Sequence, residues 1–82
     1  METALARLRA KTDQELGLLI ARQLRRSRKL AARGFYRDAA KEYLSARALL
    51  AVANVPAAER ARLERLMHEV RQTIELPATA VA

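Results

Sequence analysis

Cysteine is absent from the 82-residue chain, so it has no disulfide, no thiolate nucleophile and no cysteine-based metal site. That absence suits a reducing compartment. The only glycines, Gly17 and Gly34, stand too far apart to form a phosphate-cradling loop. The only histidine, His68, has Glu64 four residues before it, a single pair short of the ligand set that a stable metal site requires. No segment approaches the roughly 20 consecutive apolar residues that span a bilayer, and Met1 to Lys11 lacks the apolar run of a signal peptide. The expectation is therefore a soluble, cytoplasmic protein that is not an enzyme and carries no cofactor and no metal.

What the chain does have is positive charge, and it is unevenly placed. Residues 1–33 carry nine basic side chains against Glu2, Asp13 and Glu15, whereas residues 34–82 carry seven basic and six acidic ones. Six of the seven net positive charges therefore lie in the first two fifths, and an electrostatic partner is to be sought there. At this length there is one domain, burying only about 60% of the surface that its unfolded chain exposes. Stability should be modest, and self-association would raise it.

Apolar periodicity divides the chain into three helical segments. Leu16, Leu19, Ile20, Gln23, Leu24, Ser27, Leu30 and Ala31 fill an arc of about 140° on a helical wheel, which reads as a buried face. The opposite arc carries Arg22, Arg25, Arg26, Arg28, Lys29 and Arg33, with Leu18 among them and no acid within the segment. Upstream, Leu5 and Leu8 align with Thr12, Leu16 and Ile20, which allows one unbroken helix. Thr12-Asp13-Gln14-Glu15, however, has the form of a capping box, so the expected helix starts near Thr12 or Asp13, after a short arm at residues 1–11 that can itself be helical.

Gly34 breaks the first segment, and a glycine there can take positive φ at a helix C-terminus. A second helix follows from about Tyr36 to Ala53, with Tyr36, Ala39, Tyr43 and Ala46 at three- and four-residue spacing on one face and Leu44, Leu50 and Ala51 continuing it. Arg47 falls near the centre of that stripe, where an arginine runs along a neighbour or pairs with a carboxylate. Asn54-Val55-Pro56 makes the second break, since proline disfavours helix before itself and suits the first turn after it. A third helix then presents Leu63, Leu66, Met67, Val70 and Ile74 as a narrow seam, which predicts an outer position in the bundle. Pro77 is expected to stop it, leaving residues 77–82 as a disordered tail after a three-helix domain at 12–76. The fold class is all-α, an antiparallel three-helix bundle built on a helical hairpin.

Gly34, Tyr36, Ala39, Tyr43 and Ala46 together resemble the tetratricopeptide repeat, which has a glycine at its turn and then an aromatic, an alanine, an aromatic and an alanine at these offsets. Ser27 and Leu30 match its small and large positions, while Gln23 replaces its bulky one. One hairpin and a third helix over roughly residues 16–76 also resemble the three-helix microtubule-interacting and trafficking domain. In size, in Leu30-Ala31-Ala32-Arg33-Gly34 and in Ala46-Arg47-Ala48-Leu49, the chain is similar to the small helical co-chaperones of type III secretion needle subunits. These resemblances imply an adaptor or chaperone-like protein that binds a partner protein or helix in a hairpin groove.

The candidate partner-binding residues are the basic Arg22, Arg25, Arg26, Lys29 and Arg33, with Leu5, Leu8 and Leu18 as hydrophobic contacts. A homo-oligomer is a further candidate state. Nucleic acid is the second choice of partner, because the basic arc alone could hold phosphates, yet no helix-turn-helix pattern is evident and Phe35, Tyr36 and Tyr43 read as packing residues. A membrane-surface helix ranks third, since the first helix has no aromatic anchors.

Overall fold

The computed structural model describes the backbone of residues 3–81 and the side chains of residues 3–74. Three helices, α1 (Ala4–Ala32), α2 (Tyr36–Val52) and α3 (Ala57–Val81), account for the fold. They pack into an all-α bundle with no strand among the described residues. Cross-helix contacts give the directions. Ser27 Oγ donates to the Ala39 carbonyl while Gln23 Nε2 donates to Ser45 Oγ, so α2 runs against α1. Gly17 faces Glu59 and Arg28 pairs with Glu69, so α3 runs parallel to α1. The α1–α2 hairpin has the more extensive contact, and α3 lies against both helices from the outside.

The start of α1 corrects the expected arm at 1–11 and the helix start near Thr12. Thr3 is the N-cap, its Oγ1 accepting from the Ala6 amide at 3.2 Å, and the helix runs unbroken for 29 residues. Thr12 Oγ1 donates to the Leu8 carbonyl at 2.9 Å instead of capping a new helix. The physical reason is continuity. Starting afresh at Thr12 would give up the backbone bonds of Ala4 to Lys11, all strong helix formers, in exchange for one capping box.

The two breaks fall where the backbone chemistry puts them. Gly34 has φ +86°. Its amide donates to the Ala31 carbonyl and the Phe35 amide to the Leu30 carbonyl, which is the paired bonding of a Schellman C-cap. At the second break the Pro56 carbonyl accepts the first amide bond of α3, from Arg60 at 2.8 Å. The expected stop at Pro77 and tail at 77–82 fall on residues 75–82, outside the described side chains; the α3 assignment itself runs past Pro77 to Val81.

The core is built from Ile20 and Leu24 of α1, Tyr43, Ala46 and Leu50 of α2, Ala53 and Val55 of the second connection, and Leu63 and Val70 of α3. Ala39 and Ala46, both fully buried, let the hairpin helices approach closely. Four expected core positions are corrected, Ala51 among them, which is exposed. Leu19, Tyr36 and Leu44 remain 39%, 42% and 49% exposed. The buried arc of α1 is rotated towards Gly17, because α3 closes over that side and α2 covers the side of Gln23 and Ser27; Leu19 falls outside both. Tyr36 sits in the first turn after the corner, where α1 has already ended, and Leu44 lies at the rim of the α2–α3 groove.

Candidate functional site

The solvent side of α1 carries the sequence-predicted residues. A continuous helix from Ala4 puts Lys11, Leu18, Arg22, Arg25 and Lys29 on one line, three, four or seven residues apart, extending over about 27 Å at 1.5 Å per residue. All five are exposed, Leu18 by 58% of its surface. Arg22, Arg25 and Lys29 form no ion pair among the described residues. This is a row of solvated cations with an apolar side chain inside it.

The other basic candidates are drawn off that line. Arg26 turns towards α2, its Nε 3.7 Å from Glu42 Oε1, and Arg28 reaches α3, its Nη1 3.8 Å from Glu69 Oε2. Acids that the α1 segment lacks are thus supplied by the neighbouring helices. Arg33 is the C-cap residue, with its guanidinium 5.8 Å from the centroid of the Phe35 ring, within cation–π range. Leu5 and Leu8 stand 63% and 62% exposed on the part of α1 that extends beyond the bundle. They are separated from the Arg22–Lys29 row along the helix and around it.

Several residues with defined structural work were not singled out by sequence. Arg60 reaches back from the first turn of α3, its Nη2 donating to the carbonyls of Leu50 at 3.1 Å and Ala53 at 2.8 Å. It closes the C-terminal end of α2; Arg47, expected to run along a neighbour or pair with a carboxylate, is exposed and lines the α2–α3 groove. The signal for Arg60 was weak, a basic residue four positions after the Pro56 break. Gly17 is buried, and a Cβ there would lie 2.5 Å from Glu59 Oε1, the far end of a flexible side chain, and at an ordinary 3.5 Å from Val55 Cγ1, so only the Glu59 carboxylate would have to move. Gln23 donates to Ser45 Oγ at 3.4 Å, but its own carbonyl oxygen is buried without a partner.

Two of the shallow depressions along α3 adjoin exposed leucines. One, of about 190 Å³, is lined by Ala40, Tyr43, Leu44 and Ile74 with Arg47 and Arg71 at its edge. The other, of about 360 Å³, lies between α1 and α3 over Gly17, Leu18, Ala21 and Leu63, with Arg25 and Arg62 beside it. Both have apolar floors and basic side chains at the edge, and the second is lined by the acidic Glu59 as well. His68 is exposed, its Nε2 3.1 Å from Gln72 Nε2, and no group of three metal-ligating side chains converges among the described residues. No helix is long and apolar enough to cross a membrane among the described residues.

No family model, curated protein or solved structure matches the chain. The three-helix architecture is compatible with the tetratricopeptide-like and three-helix resemblances drawn from Gly34 to Ala46, at the level of fold. What the site can do rests on its own geometry. A straight cationic row with an exposed leucine is complementary in charge and polarity to an elongated anionic surface that also offers apolar contact.

Proposed function

We propose that the chain is a non-catalytic helical adaptor, or small chaperone-like subunit, whose α1 outer face captures an acidic amphipathic segment of a partner protein. The observation that carries this reading is Leu18, 58% exposed within the row of Lys11, Arg22, Arg25 and Lys29. A phosphate backbone would reward the cations and gain nothing from the leucine. An acidic helix with an apolar stripe satisfies both, and the α1–α3 depression beside Leu18 and Arg25 offers it further apolar surface. The likeness to tetratricopeptide hairpins and to bacterial type III secretion needle co-chaperones supports a protein partner, and the lack of cysteine suits the cytoplasm.

A second reading has one specific observation in its favour. Phe35 and Tyr36, expected to pack, are 51% and 42% exposed beside Arg33, and exposed aromatics next to a cation can stack on unpaired bases. The deciding experiment compares the native chain with Arg22→Glu/Arg25→Glu/Lys29→Glu as immobilised bait for host protein, duplex DNA and single-stranded RNA across a salt series. The proposal expects a protein partner that is lost on charge reversal and weakened by salt, with helicity unchanged. Tight nucleic-acid binding with a steep salt dependence and no protein partner would give the site to the second reading. Equal capture by the native and reversed chains would leave the basic row as solvated surface.

A further inference from the structure

Thr12 is the centre of a palindrome that only an unbroken α1 makes meaningful. Counting outward from it, leucines stand four and seven residues away in both directions, Leu8 and Leu5 one way, Leu16 and Leu19 the other. On the helix these five residues lie within an arc of about 80°, forming a stripe about 21 Å long. Leu5, Leu8 and Leu19 are 63%, 62% and 39% exposed, Leu16 is half-buried, and every residue from Thr3 to Thr12 is exposed. The charges around Thr12 are antisymmetric. Arg9 and Lys11 precede it, and Asp13 and Glu15 follow at the mirrored distances.

We propose that this stripe is covered by the same stripe of a second copy of the chain, in an antiparallel pair whose twofold axis passes at Thr12. A twofold at that point sets Leu5 of one copy opposite Leu19 of the other and Leu8 opposite Leu16, so each apolar side chain meets another. It also fixes the charges. Lys11 and Glu15 flank the stripe on one side, Arg9 and Asp13 on the other, and an antiparallel twofold keeps each flank facing its own kind. Lys11 then lies about 3 Å along the axis from the level of Glu15 of the second copy, and Arg9 the same distance from that of Asp13. Symmetry doubles both, giving four opposite-charge pairs around the seam against two like-charge ones, Lys11 with Lys11 and Asp13 with Asp13 across the axis.

The parallel arrangement fails the same test. Running side by side in register, the copies would bring Lys11 next to Arg9 and Glu15 next to Asp13, four like-charge pairs against two attractive Lys11–Asp13 pairs, the reverse of the antiparallel balance. The charge pattern therefore selects direction as well as partner, and it selects a chain with this sequence. An antiparallel pair also turns the Arg22, Arg25 and Lys29 rows of both copies towards the same side. The inference stands apart from the proposed function, because its apolar stripe is a different one, Lys11 alone flanking both, and its readout is mass.

The test is sedimentation equilibrium of the full chain up to millimolar concentration, together with a cysteine trap. The native chain should pass from its 9.2 kDa monomer to twice that mass as concentration rises. Leu5→Glu/Leu8→Glu, at exposed positions outside the bundle, should remain monomeric with unchanged helicity. Asp13→Lys/Glu15→Lys should weaken pairing about tenfold, and mixing it with Arg9→Glu/Lys11→Glu should restore a mixed pair. Because the chain has no cysteine, Thr12→Cys should link to itself under mild oxidation, while Ala48→Cys on exposed α2 should not. A native chain that stays monomeric at millimolar concentration overturns the proposal, as does a pair that survives Leu5→Glu/Leu8→Glu or a Thr12→Cys chain that links no faster than Ala48→Cys. A monomer whose Leu5→Glu/Leu8→Glu variant loses an acidic protein partner would assign the stripe to that partner instead.

Discussion

Tyr43→Ala should lower the unfolding free energy by about 3 kcal/mol, a large share of what holds this chain together. Tyr43 is 9% exposed and joins Ile20, Leu24, Leu50 and Val70 in the core. A buried aromatic removes about 150–250 Å² from water, worth about 4–6 kcal/mol at about 25 cal/mol per Å². Alanine keeps a small part of that burial. The vacated space also opens on the α2–α3 groove that Tyr43 lines, so water can enter and the cavity penalty is reduced. About 3 kcal/mol remains.

Against a total of about 4–12 kcal/mol for a chain of this length, that loss should lower Tm by about 12–24 °C. Urea denaturation followed by far-UV circular dichroism measures it, with Tyr36→Ala as the internal control. Tyr36 lies on the same helix and undergoes the same chemical change, but it is 42% exposed, so its loss should stay below about 1 kcal/mol. Equal shifts for the two variants, or an unmoved midpoint for Tyr43→Ala, would refute the assignment of the hairpin's inner face.

Gly34→Ala should cost about 1–2 kcal/mol in the same assay, because φ +86° strains any Cβ even though nothing lies within 4 Å of it; a neutral result would mean that the turn is free to change shape. Gln23→Met should stabilise by about 1 kcal/mol, since it replaces a buried unpartnered carbonyl oxygen by an apolar group of similar length while giving up only a 3.4 Å bond to Ser45; a lowered midpoint would show that this oxygen is satisfied in solution.

The parts of the fold that were legible in sequence are those decided by local backbone chemistry. Positive φ at Gly34 and the proline at 56 each impose a break whatever surrounds them, and Ala39, Tyr43 and Ala46 announce a buried face by spacing alone. The start of α1 was misread because two local signals competed. The Thr12–Glu15 capping pattern is satisfied by a few hydrogen bonds, whereas helix continuity from Ala4 to Lys11 adds one bond per residue, and cooperativity favours the longer helix. Side-chain pairing was illegible for a different reason. Arg26 meets Glu42, Arg28 meets Glu69 and Arg60 meets the end of α2 only after the register between helices is set, and nothing in the spacing of one helix encodes that register. Of the basic candidates, Arg22, Arg25 and Lys29 therefore keep the character read from sequence, while Arg26 and Arg33 are partly engaged within the chain.

The unbroken α1 has a consequence for how this small protein divides its surface. Among the described residues, Leu5, Leu8, Leu18 and Leu19 of α1 make up half of the eight large hydrophobics left exposed, so the first helix carries more unsatisfied apolar surface than either neighbour. They do not form one patch. Leu18 lies on the Lys11–Arg22–Arg25–Lys29 line, whereas Leu5, Leu8 and Leu19 lie about 100° around the helix on the Thr12-centred stripe. The two groups share Lys11 but differ otherwise, with the uncompensated Arg22, Arg25 and Lys29 around Leu18 and the antisymmetric Arg9, Lys11, Asp13 and Glu15 around Thr12. A surface with one sign of charge repels its own copy and suits an acidic stranger; a surface with mirrored charges suits itself. Charge reversal at Arg22, Arg25 and Lys29 should therefore leave the chain's mass unchanged while Leu5→Glu/Leu8→Glu changes it, and that independence follows from the roughly 100° between the two lines.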